Sequence, residues 1–385
     1  MSDTPYIERA FPEAEYRGRL DRVRAQLRKA GLDALIIHAP EDINYLSGFN
    51  SCGYYSYQHL MIGADPSADC FFTRIVEIGI VRATSIIPET IYWTDWDDHI
   101  AMAADSVTAK GLGKARIGIQ ETSLYLSVKD WRRFGTLLPG VTFVDVSDLL
   151  PRLRLVKSPL EVDCMRRAGE ITDAGLAAGL AAIAEGRREG ELAAAAYQAM
   201  FAAGGEPPSY PGTFTSGPRT CFLHGMATER RLQRGDLIVM EPMGCYQRYN
   251  TNAIRTAVIG APSAKAQEAH RLMEDSVLAC TELVRPGILA EDVDRLCRKI
   301  TGKFAANRLH RSGYSLEIGY APGFIGALNL RQGDTTPLAA GMVISIEPNT
   351  TFADEGWGVQ LGNCVLVTET GHEVLHHTPI ALARF

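Results

Sequence analysis

Hydrophobic positions along the first third of the chain follow alternating helix and strand spacing. Leu20, Val23 and Leu27 fall on one face of a helix predicted over 16–30, and Gly31 follows as a stop signal. Short apolar runs typical of buried strands come next, separated by helical stretches: ALIIHA, CFFTRI, TIYWT, RIGIQ and VTFVDV. This alternation predicts an α/β domain with a mixed sheet, which we place at residues 1–153.

A second domain, placed at residues 154–385, opens with a specific helix start. Ser158 and Glu161 form a capping-box pattern around a proline at the first helical position. Ser263 is a weaker N-cap, because its third residue on is Ala266 and no capping box forms. That helix is predicted to end near Val284, and another to run over 290–304.

An internal repeat lies within this second domain. LQRGDLIVMEP (232–242) matches LAAGMVISIEP (338–348) at Leu, Gly, Glu and Pro with identical spacing. One repetition is too few for a solenoid, but it fits two halves of one domain related by a pseudo-twofold axis. Such symmetry would bring Glu241 and Glu347 to one central site. Alternatively, both Glu-Pro pairs simply leave the sheet at a solvated edge.

Composition and charge narrow the class of protein. The chain has 385 residues, 46% hydrophobic and 22% charged, which is a globular composition. A net charge of −6 gives no basic footprint for nucleic acid, and no apolar run is long enough to predict a membrane span. Eight scattered cysteines and a polar N-terminus favour a cytoplasmic protein with reduced thiols.

Two carboxylates facing one another in a partly buried cleft would repel if both were ionised. One of Glu241 and Glu347 would then have a raised pKa, which supplies an acid and a base in one site. A hard divalent cation could neutralise them instead, but it would need further oxygen ligands.

Several motifs in order along the chain carry a resemblance to a known family. They are NYLSGF, LRLVKSPLEV, GDLIVMEP, RTAVIG, HRSGY, LAAGMVISIEP and VLVTETG. Together they resemble the creatinase and methionine aminopeptidase ("pita-bread") family, in the two-domain form that includes Xaa-Pro peptidases. The resemblance implies an α+β pita-bread fold with internal pseudo-twofold symmetry for the second domain.

The metallopeptidases of that family bind metal through two aspartates, one histidine and two glutamates. Carried over, these positions fall on Glu241, Asn252, Tyr314, Glu347 and Gly362. Only two anionic ligands survive and the imidazole is lost. The resemblance therefore implies a branch without a metal or other cofactor.

Within that branch the residues are most similar to the ectoine hydrolase group. The similar segments are GCYQRY (244–249), GYS (313–315), SGPRT (216–220) and His224. Creatinase activity is disfavoured, because Ile254 stands where creatinase has its catalytic glutamate. The chain also departs from ectoine hydrolases at 323–326 and at Gly362, where acidic residues are missing, so the substrate can differ from ectoine.

The resemblance implies hydrolysis of a small amidine without metal. We expect Glu241 to activate water or attack directly, and Glu347 to hold the amidinium and pass a proton to the leaving nitrogen. His224 is the candidate proton carrier or oxyanion donor, with a structural histidine as the alternative. Tyr314 either donates a hydrogen bond to a substrate carboxylate or fills the pocket. Asn252 either binds the substrate or anchors its own loop.

Three further aromatic residues are expected at the substrate. These are Tyr249, Trp357 and Tyr55, the last in the loop CGYYSYQH (52–59). A core position is the alternative for Trp357, and an ordinary exposed turn is the alternative for the loop. In this family such a loop often reaches the neighbouring subunit's site, which implies a homodimer. The HEVLHH stretch (372–377) is expected to be a solvated strand edge and not a metal cluster.

Three functional classes remain from sequence. The first is a metal-independent hydrolase of a non-peptide C–N bond in ectoine or a related cyclic amidine. The second is an Xaa-Pro metallopeptidase, which the missing ligands disfavour. The third is a silent relative that binds a ligand in the same cleft.

Overall fold

The chain folds into two compact units. The computed structural model describes residues 6–385, and the units are Met1–Pro151 and Arg152–Phe385. The first unit is α/β and the second is α+β, as the predicted fold class requires. No helix within residues 6–385 combines the length and apolarity needed to cross a membrane.

Ten α-helices are present in the described residues. In chain order they are α1 (Glu13–Ala30), α2 (Pro40–Ser47), α3 (Ile78–Thr84), α4 (His99–Ala109), α5 (Val128–Leu137), α6 (Leu149–Arg154), α7 (Pro159–Ala181), α8 (Glu189–Ala202), α9 (Ala264–Leu283) and α10 (Ala290–Ile300). Short 3-10 helices lie at Gly53–Tyr55, Pro66–Ala68, Ile75–Glu77, Gly217–Cys221, Gly302–Asn307 and Ala353–Glu355.

The first unit is built on a mixed sheet. Its strands are β1 (Ala34–Ile37), β2 (His59–Gly63), β3 (Cys70–Arg74), β4 (Thr90–Trp93), β5 (Arg116–Ile119) and β6 (Thr142–Asp145). Their order is β4-β3-β2-β1-β5-β6. The β1–β5, β5–β6 and β3–β4 pairs are parallel, whereas β2 runs antiparallel to both neighbours. All four residues of β1 are buried, which explains why it is a continuous apolar run.

The second unit holds thirteen strands within the described residues. They are β7 (Thr213–Ser216), β8 (Leu237–Glu241), β9 (Met243–Tyr246), β10 (Tyr249–Asn252), β11 (Arg255–Val258), β12 (Gly313–Tyr320), β13 (Gly323–Leu330), β14 (Val343–Ile346), β15 (Asn349–Phe352), β16 (Trp357–Gln360), β17 (Asn363–Val367), β18 (His372–Val374) and β19 (Ala383–Arg384). The larger sheet has the order β18-β17-β14-β12-β10-β9, with β13 on β12, and a second sheet has the order β19-β11-β8-β7.

The helix-start signals read from the sequence are confirmed. Ser158 Oγ accepts from the Glu161 backbone N–H, and the Glu161 carboxylate accepts from the Ser158 N–H, so the capping box starts α7. Ser263 caps α9 through the Ala266 N–H at 3.1 Å without a reciprocal bond. The last predicted helix is shorter than expected, because α10 ends at Ile300 and the chain continues as a 3-10 turn.

The internal repeat extends beyond the two Glu-Pro strands. In the first half β8 pairs with β11 and β9 with β10; in the second half β14 pairs with β17 and β15 with β16, all antiparallel. The halves meet at Ile254 and Gly362, which occupy equivalent positions and exchange backbone hydrogen bonds of 3.1 and 3.0 Å. The ends of equivalent strands therefore converge at the centre of the unit.

Candidate active site

Two buried carboxylates meet at this centre. Glu241 is the last residue of β8, and Glu347 follows β14; they are 5% and 2% exposed. The Asn252 side-chain amide lies between them and donates one hydrogen bond to Oε1 of each, both at 2.8 Å. The predicted shared site is thus present, and an amide nitrogen joins its two acidic groups.

Cys364 sets the orientation of the Asn252 amide. Its Sγ lies 2.9 Å from the Asn252 backbone oxygen and 3.3 Å from Oδ1, so the thiol S–H is shared by these two acceptors. With Oδ1 held by the thiol, the amide N–H₂ group faces the carboxylates. Burial raises the pKa of Cys364, which keeps the thiol protonated as a donor.

A chain of hydrogen bonds runs from the second carboxylate oxygen of Glu241 through two hydroxyl groups, and it ends at a half-buried side chain. Glu241 Oε2 lies 3.1 Å from Thr213 Oγ1, because Thr213 on β7 is in register with Glu241 on β8. The Tyr210 hydroxyl is in turn 2.9 Å from Thr213 Oγ1. The three oxygens form a continuous hydrogen-bonded chain, and the Tyr210 ring is half-buried.

Burial and charge control protonation at the site. Burial first, and then the negative charge of Glu347, raise the pKa of Glu241 to about 8, although bonds from Asn252 and Thr213 oppose the rise. Burial and the charge of Glu347 also raise the pKa of Tyr314, whose hydroxyl is hydrogen-bonded to Glu347. The buried pair therefore shares one proton at neutral pH, and Glu241, with its raised pKa, is the favoured holder.

A glycine makes the position of Tyr314 possible. Gly313 has a φ of 152°, and a Cβ there would lie 1.8 Å from the Ser345 carbonyl oxygen. Only glycine therefore permits β12 to approach β14 at this point, next to Glu347.

The carboxylates open into a cavity of about 360 Å³. Its lining comprises Tyr210, Leu223, His224, Glu241, His310, Tyr314, Phe324, Ile325, Glu347 and Gln360. None of these lining residues of the described chain is a lysine or an arginine. The cavity thus combines one negative charge with aromatic and apolar walls, a combination that suits a small organic cation.

Two histidines line the cavity. His224 is exposed to solvent. His310, which sequence reasoning missed, donates from Nδ1 to the Arg311 carbonyl oxygen at 3.0 Å, so its Nε2 bears the lone pair. Burial lowers the pKa of His310, so it is neutral at pH 7.

The structure does not bring Tyr249 or Trp357 to the carboxylates. Tyr249 points to the opposite face of β10 from Asn252, is fully buried, and donates to Glu161 Oε1 at 2.8 Å. Trp357 stacks on Phe352 at 4.1 Å between ring centroids and lines a separate cavity of about 240 Å³. Both sequence expectations are corrected on this point.

Two predictions concern segments outside the cavity, the loop of Tyr55 and the HEVLHH stretch. Tyr55 lies in the first unit and is 79% exposed, and its role at a neighbouring subunit's site stays a prediction. The HEVLHH stretch is only partly a solvated edge, because His376 is 5% exposed.

Other lining residues were missed for identifiable reasons. Gln360 could have been found from the internal repeat, in which Glu347 is the equivalent of Glu241. Two strands further along each half, Gln360 at the end of β16 is the equivalent of Asn252 at the end of β10. Tyr210 and His310 lie on irregular segments before β7 and β12, where no periodic pattern marks a direction. Their placement depends on tertiary structure.

The residues at the centre do not fit a divalent metal. Asn252 presents N–H donors where a ligand oxygen would be needed, and Tyr314 hydrogen-bonds Glu347 instead of offering imidazole. A side chain at Gly362 would meet Glu347 Cγ at 3.3 Å, but glycine supplies no ligand there and Ile254 occupies the adjoining space. Across residues 6–385 there is no group of three or more His, Cys, Asp or Glu placed to hold a metal ion.

Comparison with known protein families identifies the family of the chain. Residues 163–369 match metallopeptidase family M24, and residues 19–156 match the creatinase/prolidase N-terminal domain. The chain belongs to the M24 family and is a hydrolase of that family.

Individual relatives cover almost the whole chain. An Xaa-Pro dipeptidase of Pyrococcus furiosus is 27% identical over 364 residues, spanning 94% of this chain and 98% of the relative. An ectoine hydrolase of Halomonas elongata is 25% identical over 390 residues, spanning 96% and 97%. The crystal structure of dipeptidase PepE from Mycobacterium ulcerans superposes with a TM-score of 0.84 at 28% identity, covering 98% of this chain and 99% of that one.

Proposed function

We propose that this protein is a metal-independent hydrolase of a non-peptide C–N bond in a small amidine-type compound, ectoine or a related cyclic amidine. The observation that carries the proposal is the Asn252 amide, which donates 2.8 Å hydrogen bonds to both Glu241 and Glu347. An amide nitrogen in that place supports acid–base chemistry by the two carboxylates and gives a metal no ligand.

The charge of the cavity supports a cationic substrate. The pair carries one net negative charge in a cavity whose lining, in the described chain, has no lysine or arginine. An amidinium would form charge-assisted hydrogen bonds with Glu347, and its carbon is electrophilic without further activation. A carboxylate on the substrate, such as that of ectoine, would bind hydroxyl or imidazole N–H donors, because none of these lining residues is a lysine or an arginine.

The raised pKa of Glu241 suggests that it is the acid and Glu347 the base, which reverses the roles expected from the sequence. Water adds to the amidinium carbon, its oxygen forming the new C–O bond, while Glu347 accepts the water proton. The C–N bond then breaks with its electron pair moving to nitrogen, and that nitrogen receives the proton of Glu241. The hydroxyl proton of the adduct passes to the departing amine as the carbonyl forms, so the products are an amide and an ammonium ion, and the pair still holds one proton, now on Glu347.

The hydroxyl chain offers Glu241 a path for its proton. Glu241 Oε2 passes its proton to Thr213, and Thr213 passes one to Tyr210, which lines the cavity. His224, exposed on the same wall, is the proposed carrier that exchanges protons with solvent between turnovers.

The first experiment is proton NMR of ectoine incubated with chelator-treated protein. The expected result is ring opening to an acetylated diaminobutyrate, undiminished by chelator and abolished in Glu241→Gln. Glu369→Gln, which changes an exposed carboxylate, serves as the matched control and should retain full activity. Unchanged ectoine together with unchanged N-alkylated cyclic amidines would contradict the proposal.

A second candidate function is an Xaa-Pro dipeptidase, which the names of the relatives favour. It would be tested by incubating Ala-Pro and Met-Pro with the protein in manganese or cobalt, and again after chelator treatment. Metal-dependent cleavage of these dipeptides would replace the first proposal. A silent binding protein would instead gain thermal stability with a cationic ligand and release no product.

We further propose that the protein acts as a homodimer in which the loop carrying Tyr55 reaches the partner's site. The support is the family resemblance and the 79% exposure of the Tyr55 side chain. Light scattering gives the molar mass in solution. A monomer with full activity would refute this arrangement, and a dimer whose Tyr55→Ala variant keeps its KM would refute the role of the loop.

A further inference from the structure

Aromatic rings surround the cavity in an unbroken series. His224, Tyr210, Phe324, Tyr314 and His310 all line it, and successive ring centroids in that order are 6.4, 5.7, 6.0 and 6.2 Å apart. The Tyr210 and Phe324 rings are inclined by 32°, and the Phe324 and Tyr314 rings by 68°. The rings therefore form a curved wall, and not a single stacked column.

Phe324 is the centre of this wall. It is the residue that touches both tyrosines, and its β13 neighbour Ile325 also lines the cavity. Arg311 already lies over the Tyr314 ring, with its Cζ 4.7 Å from the centroid. Phe324 and Tyr210 are consequently the rings that remain to receive a ligand.

The wall around Phe324 offers few partners to N–H donors, because the acceptors His310 Nε2 and the Gln360 side-chain oxygen belong to other lining residues. Leu223 and Ile325 are apolar, and the Glu241 and Glu347 oxygens that accept from Asn252 lie at the base of the cavity. A cation with many N–H groups would leave some of them without acceptors, at a cost in desolvation. A cation whose charge is spread over alkyl groups loses nothing there and is attracted by the negative faces of the rings.

We infer that the ligand of this cavity is an N-alkylated organic cation, an alkylated amidinium or ammonium, whose charged head lies against the Tyr210 and Phe324 rings above Glu347. The inference rests on the proposed function in assigning the substrate to this cavity. It adds that aromatic faces, and not hydrogen bonds alone, select the head group. The cavity of about 360 Å³ has room for such a head together with an apolar extension.

Three small probes separate charge from hydrogen bonding. Tetramethylammonium is a cation without N–H groups, acetamidinium is a cation with them, and acetamide is the neutral planar analogue of acetamidinium. Binding to the full chain is measured by NMR titration, without any turnover. We expect tetramethylammonium to bind at least as tightly as acetamidinium, and acetamide to bind about tenfold or more weakly.

Phe324→Leu removes the aromatic face and keeps an apolar side chain. Tetramethylammonium affinity is expected to fall by about 3- to 30-fold in this variant. Phe201→Leu is the matched control, because Phe201 is an exposed aromatic residue on α8 outside the cavity lining, and it should leave affinity unchanged. Circular dichroism of both variants reports whether they fold.

The outcomes distinguish this inference from the proposed hydrolase. Equal binding of tetramethylammonium and acetamide, or unchanged affinity in a folded Phe324→Leu protein, would overturn the aromatic-wall inference even if ectoine is hydrolysed. Selective cation binding that depends on Phe324, without hydrolysis of any amidine, would support the inference and remove the proposed reaction.

Discussion

Replacing Glu241 with glutamine is expected to stabilise the second unit at alkaline pH and to change its stability little at pH 5. The folded state raises the pKa of this carboxyl from 4.5 to about 8. Because the pKa is raised on folding, the folded state keeps a proton that the unfolded chain releases, so stability falls as pH rises from 4.5 to 8. One pKa unit corresponds to about 1.4 kcal/mol, so the loss between pH 5 and pH 8 is about 3 to 4 kcal/mol.

Glutamine has the shape of the protonated carboxyl and does not titrate, so the variant avoids this loss. Urea unfolding followed by far-UV circular dichroism gives the free energy of unfolding of both proteins at each pH. The difference between variant and parent should grow by about 3 to 4 kcal/mol from pH 5 to pH 8. Glu369→Gln, at an exposed position, should show no such growth. If Glu241→Gln behaves like Glu369→Gln, the carboxyl is not held protonated and the assignment of acid and base is wrong.

Three further predictions concern the same site and the first unit. The hydrolysis rate should fall as pH rises through about 8, since Glu241 then loses its proton, and a kcat/KM profile without that limb would contradict the acid role. Asn252→Asp should lower kcat by about 100-fold or more while the fold persists, because it replaces the shared donor with a third acid; circular dichroism and kinetics test this. Burial lowers the pKa of His38 to about 3 and that of His59 well below 6.5, so the first unit should lose stability as pH falls below 6.5, with about 2 kcal/mol of that loss at pH 5 from His38. His59→Leu should reduce the total loss in urea unfolding, and an unchanged pH dependence would refute this origin.

The internal repeat allowed the centre of the site to be predicted from sequence. Two strands that begin after a glycine turn and end in Glu-Pro can be recognised without coordinates, and symmetry then brings Glu241 and Glu347 together. The same logic reaches Gln360 through its equivalence to Asn252. Positions fixed by repeated strand geometry are predictable, because the hydrogen-bond register determines where each side chain points.

Residues fixed by tertiary packing were not predictable in the same way. Tyr210 and His310 precede strands on irregular backbone, so neither helical nor strand periodicity assigns them a face. Tyr249, three residues before Asn252 in the sequence, was expected at the substrate. The alternation of side chains along β10 places it on the other face, against Glu161. Continuity in a motif therefore does not imply a shared face.

The substitution of an amide for a metal ligand changes what two buried carboxylates can do. A divalent cation between Glu241 and Glu347 would neutralise both and keep both ionised. The Asn252 amide supplies only partial positive charges, so the repulsion between the carboxylates and their burial remain, and one of them keeps its proton near neutral pH. The same scaffold then holds a proton donor and a proton acceptor a single amide apart. Under the proposed function, the cationic amidine group of the substrate completes the charge balance that a metal would otherwise supply. The proposed ligand chemistry therefore follows from the residues that replace the metal ligands.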